Sequence, residues 1–293
     1  MKVIITIPAY NEEETIVETI NDINTAMEGS GYDYTIHVRD DGSEDKTYEV
    51  AEAAGAISTR NKANLGLAKT FVEEVKVCAN MHADIIVHTD ADNQYRAEYI
   101  PKLIKAIEDG ADLVLGSRFK SQNKYTGSII KKALNPLFSM FMSTLVGMKV
   151  SDATTGFRAF KVKAGSFPII SRFTYTHEQI IRAKRLGMVI REVQVETNET
   201  RKSRLFKNPL DYAIKSIVNI VRLYRDFDPI KFFGQIGIAT IIPGMVLGTY
   251  TTIAYIMYGP GKLTKFALAS LFFCLAGLQI ALFGLLADMN RKD

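Results

Sequence analysis

The stretch Asp84–Tyr95, DIIVHTDADNQY, joins a short apolar run to a turn that carries two carboxylates and an amide. Ile85, Ile86 and Val87 are typical of a buried strand in a parallel sheet. Ligands of open α/β sheets bind beyond the carboxyl ends of the strands. The acidic turn that follows this strand therefore lies where a ligand site is expected.

The rest of the first half of the chain repeats this alternation of strand and helix. Helical patterns such as Glu13–Met27 and Leu65–Asn80 separate further β-branched runs, which read VIITI, YTIHV, AIST and DLVLGS. This pattern predicts an α/β fold, a mostly parallel sheet covered by helices. We expect the loops PAYNE (8–12), RDDGS (39–43) and TDADNQY (89–95) to meet at one edge of that sheet.

Size and composition narrow the classes of protein. The 293 residues allow one α/β domain with an appendage. The net charge of +4, without a basic stretch interleaved with aromatic residues, predicts no nucleic-acid partner. Cys78 and Cys274 have neither a disulfide framework nor a zinc spacing, which favours a reducing, cytosol-facing domain. The opening run VIITI is interpreted as a first strand, not a signal peptide.

Two apolar segments near the C-terminus predict a membrane hairpin. Phe232–Met257 and Phe266–Met289 are each about 24 residues, roughly 36 Å as helix, which crosses a hydrocarbon core of about 30 Å. Basic residues on the flanks outnumber those in the connecting loop, which predicts a multi-pass protein of a cell or ER-type membrane with its large N-terminal domain in the cytoplasm. The spans also offer a surface for homo-oligomer formation.

Two further helices are expected next to membrane or core. Asn208–Asp228 places Ile214, Val218 and Val221 on one face and basic residues on the rest, which indicates a helix at the membrane interface. Ser128–Gly147 is also helical and apolar. This segment fits a core helix and a helix on the membrane surface equally well.

The acidic turn has a chemical explanation. Asp90 and Asp92 repel each other and raise each other's pKa unless a cation lies beside them. Their carboxylates and the Gln94 amide supply oxygen ligands that suit Mg²⁺ or Mn²⁺, which also takes phosphate oxygens. The turn therefore predicts a divalent cation that holds a diphosphate, with a solvated acidic turn as the alternative.

The order of the motifs resembles a known family. IPAYNEEETI, VRDDGSEDKT, NLGLAKT, HTDADNQY and LGSRF follow one another as in the family 2 glycosyltransferases of the GT-A fold, over residues 1–120. The later segments DATTGFRAF (152–160), THEQII (176–181) and KSRL (202–205), followed by a basic helix and two spans, resemble the polyprenyl-phosphate sugar synthases, such as dolichyl-phosphate mannose or glucose synthase.

The resemblance implies roles for individual residues. Asp92, Gln94 and Arg118 are expected to be catalytic, and Asp90, Asp92 and Gln94 to hold the metal. The residues expected to bind the nucleotide sugar are Pro8, Tyr10, Glu12, Asp40, Asp41, Gly66, Asp90 and Ala91. Those expected to bind the acceptor phosphate are Arg118, Arg158, Arg201, Lys202 and Arg204. The sequence TRKSR (200–204) departs from the family's spacing, so the choice among its three basic residues stays open.

The expected protein has three parts: a catalytic domain at 1–207, a juxtamembrane helix at 208–229 and a hairpin at 230–293. It would transfer a hexose, with inversion, from a UDP- or GDP-sugar to polyprenyl or dolichyl phosphate at a bilayer. Two alternatives are a transferase that acts on a glycan and a non-catalytic protein that binds nucleotide sugar or lipid. The intact acidic turn favours catalysis over the second, and the absence of tryptophan argues against the first.

Overall fold

A computed structural model describes residues 1–118, 139–140, 142–143, 146–169, 175–198, 218, 221–259 and 264–290. By their internal contacts the residues fall into two compact units, Met1–Lys207 and Asn208–Asp293.

The first unit contains one sheet, whose strands have the order β3-β2-β1-β4-β6-β5-β7. The strands are β1 (Lys2–Ala9), β2 (Asp33–Asp40), β3 (Ile57–Arg60), β4 (Ile85–His88), β5 (Leu113–Ser117), β6 (Arg158–Lys161) and β7 (Ile190–Gln194). All neighbouring pairs are parallel except the two that β6 makes with β4 and β5. The prediction of a mostly parallel sheet is confirmed, and the antiparallel β6 between β4 and β5 was not predicted.

Helices cover both faces of this sheet. They are α1 (Ile16–Met27), α2 (Thr47–Ala53), α3 (Leu67–Asn80), α4 (Ile100–Glu108) and α5 (Thr176–Arg185). Alternate residues of β1, from Val3 to Ala9, pack with α1 and α4 in an apolar core. On the other face Phe71 of α3 stacks on Tyr175, with ring centroids 3.8 Å apart. The side chain of His88 lies on this second face, against Phe71.

The second unit contains two long helices, α6 (Pro229–Tyr258) and α7 (Thr264–Met289). Small residues bring them close: a Cβ added at Gly237 would lie 2.7 Å from the carbonyl oxygen of Gly277. By length and composition both helices could cross a membrane, and only 11% and 6% of their most apolar stretches are buried. Such low burial differs from that of a core helix in a soluble protein.

The two other helical predictions fall largely outside the described residues. Residues 221–227 of the expected interface helix are helical. In the segment Ser128–Gly147, Met142 and Val146 are buried, in accord with the core-helix alternative at those positions.

Candidate active site

The topology brings five chain segments to one edge of the sheet. β1, β2, β4 and β5 run in the same direction, so the segments that begin at Tyr10, Asp41, Thr89 and Arg118 leave the sheet together. β6 runs the opposite way and starts at this edge, so residues 152–157 lie there as well. The expected meeting of the PAYNE, RDDGS and TDADNQY loops follows from this arrangement.

Asp90 and Asp92 lie on a tight turn after β4. The backbone N–H of Gln94 donates to Asp92 Oδ1 at 3.1 Å, and Asn93 adopts a positive φ of 52°. Thr19 of α1 donates to the carbonyl of the buried Ala91 at 3.1 Å, which fixes the turn to the domain. Burial raises the pKa of Asp90 to about 6, with a further contribution from the charge of Asp92.

This turn fits a hard divalent cation. A carboxylate that is costly to ionise alone becomes favourable to ionise when a cation lies beside it. Among the described residues no group of three or more His, Cys, Asp or Glu side chains could hold a metal, so a cation at this turn would have at most two carboxylate ligands and would need other oxygen ligands as well. Mg²⁺ and Mn²⁺ are commonly held by few protein carboxylates, and water molecules or phosphate oxygens occupy their other coordination positions.

Gly156 makes the space that Asp90 occupies. A Cβ at position 156 would lie 2.9 Å from Asp90 Oδ1 and 3.2 Å from Oδ2. Any larger residue would therefore displace the carboxylate. The TTGF segment thus leaves the space that the acidic turn needs. The sequence alone gives no indication of this role for Gly156.

Asp41 links the second loop to the start of α3. Its Oδ1 accepts from the backbone N–H of Leu65 at 2.9 Å and from the side chain of Asn61 at 2.7 Å, and Oδ2 accepts from the N–H of Gly66 at 2.9 Å. A carboxylate has about four acceptor positions, so one stays available for a further donor. Asn61, which sequence reasoning missed, also accepts from Arg39.

Asp40 is turned into the protein. It is fully buried, accepts from the backbone N–H of Ser43 at 2.9 Å and pairs with Arg60. Both carboxylate oxygens of Asp40 thus have partners inside the domain, and this residue shapes the loop. Its expected contact with the nucleotide stays a prediction.

The first loop is held against the second by backbone donors. Asn11 N–H donates to Ser43 Oγ at 2.9 Å, and Glu12 N–H donates to Thr47 Oγ1 at 2.8 Å. Tyr10 is exposed and Pro8 is half-buried at the end of β1. The side chain of Tyr10 is therefore accessible to a base or sugar at this edge.

Arg118 and Asp152 form a buried ion pair beside the acidic turn. The guanidinium contacts both carboxylate oxygens, at 2.7 Å and 3.0 Å, and donates to Thr154 Oγ1 at 2.9 Å. Burial alone would raise the pKa of Asp152, but Arg118 and the Thr154 hydroxyl together outweigh it and the pKa is lowered. The Arg118 charge also lowers the pKa of Asp90, which partly offsets the effects of burial and Asp92. Arg118 thus joins the ends of β5 and of the 152–157 segment.

Arg158 does not reach an acceptor phosphate. Its side chain is fully buried, and it donates to the carbonyls of Ala153, Thr155 and Thr176 and to Gln179 Oε1 at 2.8 to 3.2 Å. Burial lowers its pKa to about 10. The prediction that Arg158 binds phosphate is wrong because β6 directs the side chain into the interior.

His88 and Glu74 form a second buried pair below the acidic turn. Their side chains are fully buried, with His88 Nε2 3.2 Å from Glu74 Oε2 and Nδ1 3.0 Å from the carbonyl oxygen of Gly156. Burial alone would lower the pKa of His88, but Glu74, with Asp90 and the Gly156 carbonyl, outweighs it and the pKa is raised. Burial raises the pKa of Glu74. The helical position of Glu74 in the sequence gave no sign of this contact.

Three expected acceptor residues, Arg201, Lys202 and Arg204, lie outside the described residues. Their role stays a prediction.

Comparison with known proteins identifies the family of the chain. The model of "Glycosyl transferase family 2" matches residues 4–165. A UDP-N-acetylglucosamine–dolichyl-phosphate N-acetylglucosaminyltransferase of Methanococcus voltae is 30% identical over 67% of this chain and 86% of its own length. An undecaprenyl-phosphate 4-deoxy-4-formamido-L-arabinose transferase of Salmonella typhimurium is 24% identical over 98% of this chain and 87% of its own.

Solved structures show the same fold. A glucosyl-3-phosphoglycerate synthase of Mycobacterium tuberculosis, crystallised with Mn²⁺, uridine diphosphate and phosphoglyceric acid, covers 76% of this chain and 77% of its own with a TM-score of 0.60 and 22% identity. The expected resemblance is confirmed by the family match, and the expected architecture by this likeness. The chain belongs to glycosyl transferase family 2 and has a GT-A fold.

Proposed function

We propose that this protein transfers a hexose from a nucleotide sugar to a polyprenyl phosphate at a membrane surface. The proposal rests on one observation. The same chain contains both the Asp90–Asp92 turn, at the carboxyl edge of its sheet, and two apolar helices long enough to span a bilayer. The activities by which the Methanococcus and Salmonella relatives are named, both transfers to a polyprenyl phosphate, support the same reaction class.

Each of the three parts of the chain has its own role in this reaction. Residues 1–207 form the catalytic domain, residues 208–229 lie at the membrane interface, and residues 230–293 form a hairpin that holds the enzyme in the bilayer with the catalytic domain in the cytoplasm. A polyprenyl tail does not leave the bilayer, because moving each CH₂ into water costs about 0.8 kcal/mol. An enzyme anchored in the membrane meets this substrate without extracting it.

The first and second loops bind the nucleoside. Tyr10 is accessible to the base, and Asp41 has one acceptor position left for a base imide or ribose hydroxyl. Leu65 and Gly66, whose N–H groups bind Asp41, keep this carboxylate in one orientation. We infer that Pro8, Glu12 and Ala91 shape the walls of the same site.

Asp90, Asp92 and Gln94 are the ligands for Mg²⁺ or Mn²⁺. When bound, the cation supplies charge neutralisation to the departing diphosphate. Gly156 keeps Asp90 in position for this role, and Thr19 keeps the turn in place through the Ala91 carbonyl.

The acceptor supplies its own nucleophile. A phosphate monoester is anionic near neutral pH, so its oxygen attacks the anomeric carbon without a strong general base, and the configuration inverts as the nucleoside diphosphate leaves. The protein's contribution is to position the two anions and reduce their repulsion. Arg118 lowers the local negative potential next to Asp90, and Arg201, Lys202 and Arg204 are the candidates that grip the acceptor phosphate.

The test incubates purified full-length protein with short-chain polyprenyl phosphate, Mn²⁺ or Mg²⁺, and a panel of radiolabelled UDP- and GDP-sugars. We expect label in the lipid fraction with at least one donor, and none with Asp92→Ala. Asp109→Ala is the matched control, since Asp109 is an exposed carboxylate at the end of α4 that pairs with Lys105.

Two results would contradict the proposal. Full activity of Asp92→Ala in the presence of chelator would remove the role of the acidic turn. Label that enters an added oligosaccharide but no polyprenyl phosphate would point to a glycan acceptor.

A further inference from the structure

The second long helix, α7, has two sides of different composition. Towards α6 it presents small residues: a Cβ added at Gly277 would lie 2.5 Å from Ile241 Cγ1, and one added at Gly284 would lie 2.9 Å from Phe233 Cβ. Elsewhere on its surface a row of exposed side chains recurs at alternating intervals of four and three residues. This row, named here the outer seam, consists of Leu268, Phe272, Leu275, Gln279, Leu282 and Leu286.

The spacing of the outer seam is that of two packed helices. Side chains at alternating intervals of four and three residues stay on one side of a helix that winds around a neighbour in a left-handed coiled coil. Helix pairs in membranes commonly adopt this geometry. An apolar row of this kind also suits contact with lipid, so the row alone does not define a partner.

Gln279 is the polar member of the outer seam, and its amide does not suit contact with lipid. It is exposed, and among the described residues its amide has no hydrogen-bond partner. At 1.5 Å per residue, Gln279 lies about 4 Å from the midpoint of α7, which is close to the centre of the hydrocarbon in a helix that spans it. A polar side chain at this depth commonly faces another protein surface.

Several hydroxyl side chains in the hairpin are hydrogen-bonded within it. Thr240, Thr251 and Thr252 donate to backbone carbonyls four residues earlier at 2.7 to 2.9 Å. Ser270 of α7 donates to the carbonyl of Gly244 in α6 at 2.7 Å. The exposed amide of Gln279 differs from these hydroxyls, because no described residue of the hairpin is hydrogen-bonded to it.

A second copy of the same chain is the partner that fits this amide. All copies insert in one orientation, so a two-fold axis along the membrane normal places both Gln279 side chains at the same depth. The carboxamide is both donor and acceptor, so two of them hydrogen-bond to each other across such an axis. The bilayer interior supplies no such groups.

We propose that two copies of the chain pair in parallel through their outer seams, with the two Gln279 amides hydrogen-bonded at the centre. This inference rests on the membrane insertion of α6 and α7 set out under the proposed function. A single polar residue in an apolar seam also fixes the alignment of the two helices.

The experiment uses full-length protein in phosphatidylcholine vesicles, half of it labelled with a donor and half with an acceptor fluorophore. Energy transfer is measured while the ratio of protein to lipid is varied. We expect the wild type to pair, Gln279→Asn to retain pairing, and Gln279→Leu to need roughly tenfold more protein per lipid for the same transfer.

The matched control moves the amide without changing the composition. In the double variant Leu278→Gln with Gln279→Leu, the amide lies about 100° around the helix from the outer seam. We expect this variant to pair as weakly as Gln279→Leu. Wild-type protein without energy transfer at any ratio, or a double variant that pairs as well as the wild type, would overturn the proposal.

Two further measurements separate this inference from the proposed function. Retention of the protein in carbonate-washed membranes tests insertion, and formation of lipid-linked sugar tests the reaction. Protein that is retained and active but shows no energy transfer refutes only the pairing. Protein that is washed off the membrane refutes the anchoring on which both proposals depend.

Discussion

The raised pKa of Asp90 predicts that metal binding weakens sharply in mild acid. With a pKa of about 6, roughly one Asp90 in eleven is ionised at pH 5, whereas nearly all are ionised at pH 7.5. Because the cation binds the ionised carboxylate, the affinity for Mn²⁺ is expected to fall about tenfold between these pH values. An aspartate with the ordinary pKa of 3.8 would stay about nine-tenths ionised at pH 5.

Protein stability without metal has the opposite dependence on pH. The pKa of Asp90 is higher in the folded chain than the ordinary 3.8, so the folded state binds this proton more tightly. The stabilisation is therefore fully present below about pH 3.8 and is lost as the pH rises through about 6. A shift of about two pKa units corresponds to roughly 3 kcal/mol. Asp90→Asn is expected to remove this dependence.

The assay counts free Mn²⁺ by electron paramagnetic resonance in titrations of the full-length protein, without nucleotide, at pH 7.5, 6 and 5. His88→Gln is the control, because the pKa of His88 is also raised and its ring lies below the same turn. We expect this variant to keep the dependence on pH. An affinity that is constant between pH 7.5 and pH 5, or a dependence that disappears in His88→Gln, would refute the assignment to Asp90.

Three further substitutions test the site. Gly156→Ala is expected to weaken Mn²⁺ binding, because the new methyl group lies 2.9 Å from the Asp90 carboxylate; Gly234→Ala, which has no atom within 4 Å, is its control in the same titration. Asp41→Ala leaves two backbone N–H groups unpaired and is expected to cost about 2 kcal/mol of stability and to weaken UDP binding, checked by thermal unfolding and calorimetry. Arg118→Met leaves the buried Asp152 without its cation and is expected to lower the free energy of unfolding by about 3 to 5 kcal/mol. Adding Asp152→Asn to the same chain is expected to restore most of this loss, which denaturant titration measures.

The strands and the edge that carries the acidic turn were predictable from sequence. Each of β1, β2, β4 and β5 follows from a short β-branched run, and the parallel direction of these strands follows from the helical patterns between them. The position of the Asp90–Asp92 turn at the ligand edge of the sheet was predictable, because the turn directly follows the apolar run that forms β4. These features depend on residues close together in the chain.

The contacts that orient the site were not predictable in this way. Asn61 with Asp41, Asp152 with Arg118, and Gly156 with Asp90 join residues far apart in sequence, and no local pattern shows which pairs will meet. Arg158 shows the same limit. The family resemblance suggested that it binds phosphate, but the direction of β6 decided where its side chain points.

The position of β6 in the sheet also affects the order in which the polypeptide folds during synthesis on the ribosome. β4 pairs with β6 and not with β5, so the middle of the sheet has an open edge until residues 158–161 have been synthesised. An open edge of this kind can pair with another chain. We infer that a nascent chain stalled before residue 158 is prone to aggregate, and that the acidic turn gains its neighbour Gly156 only at that late step.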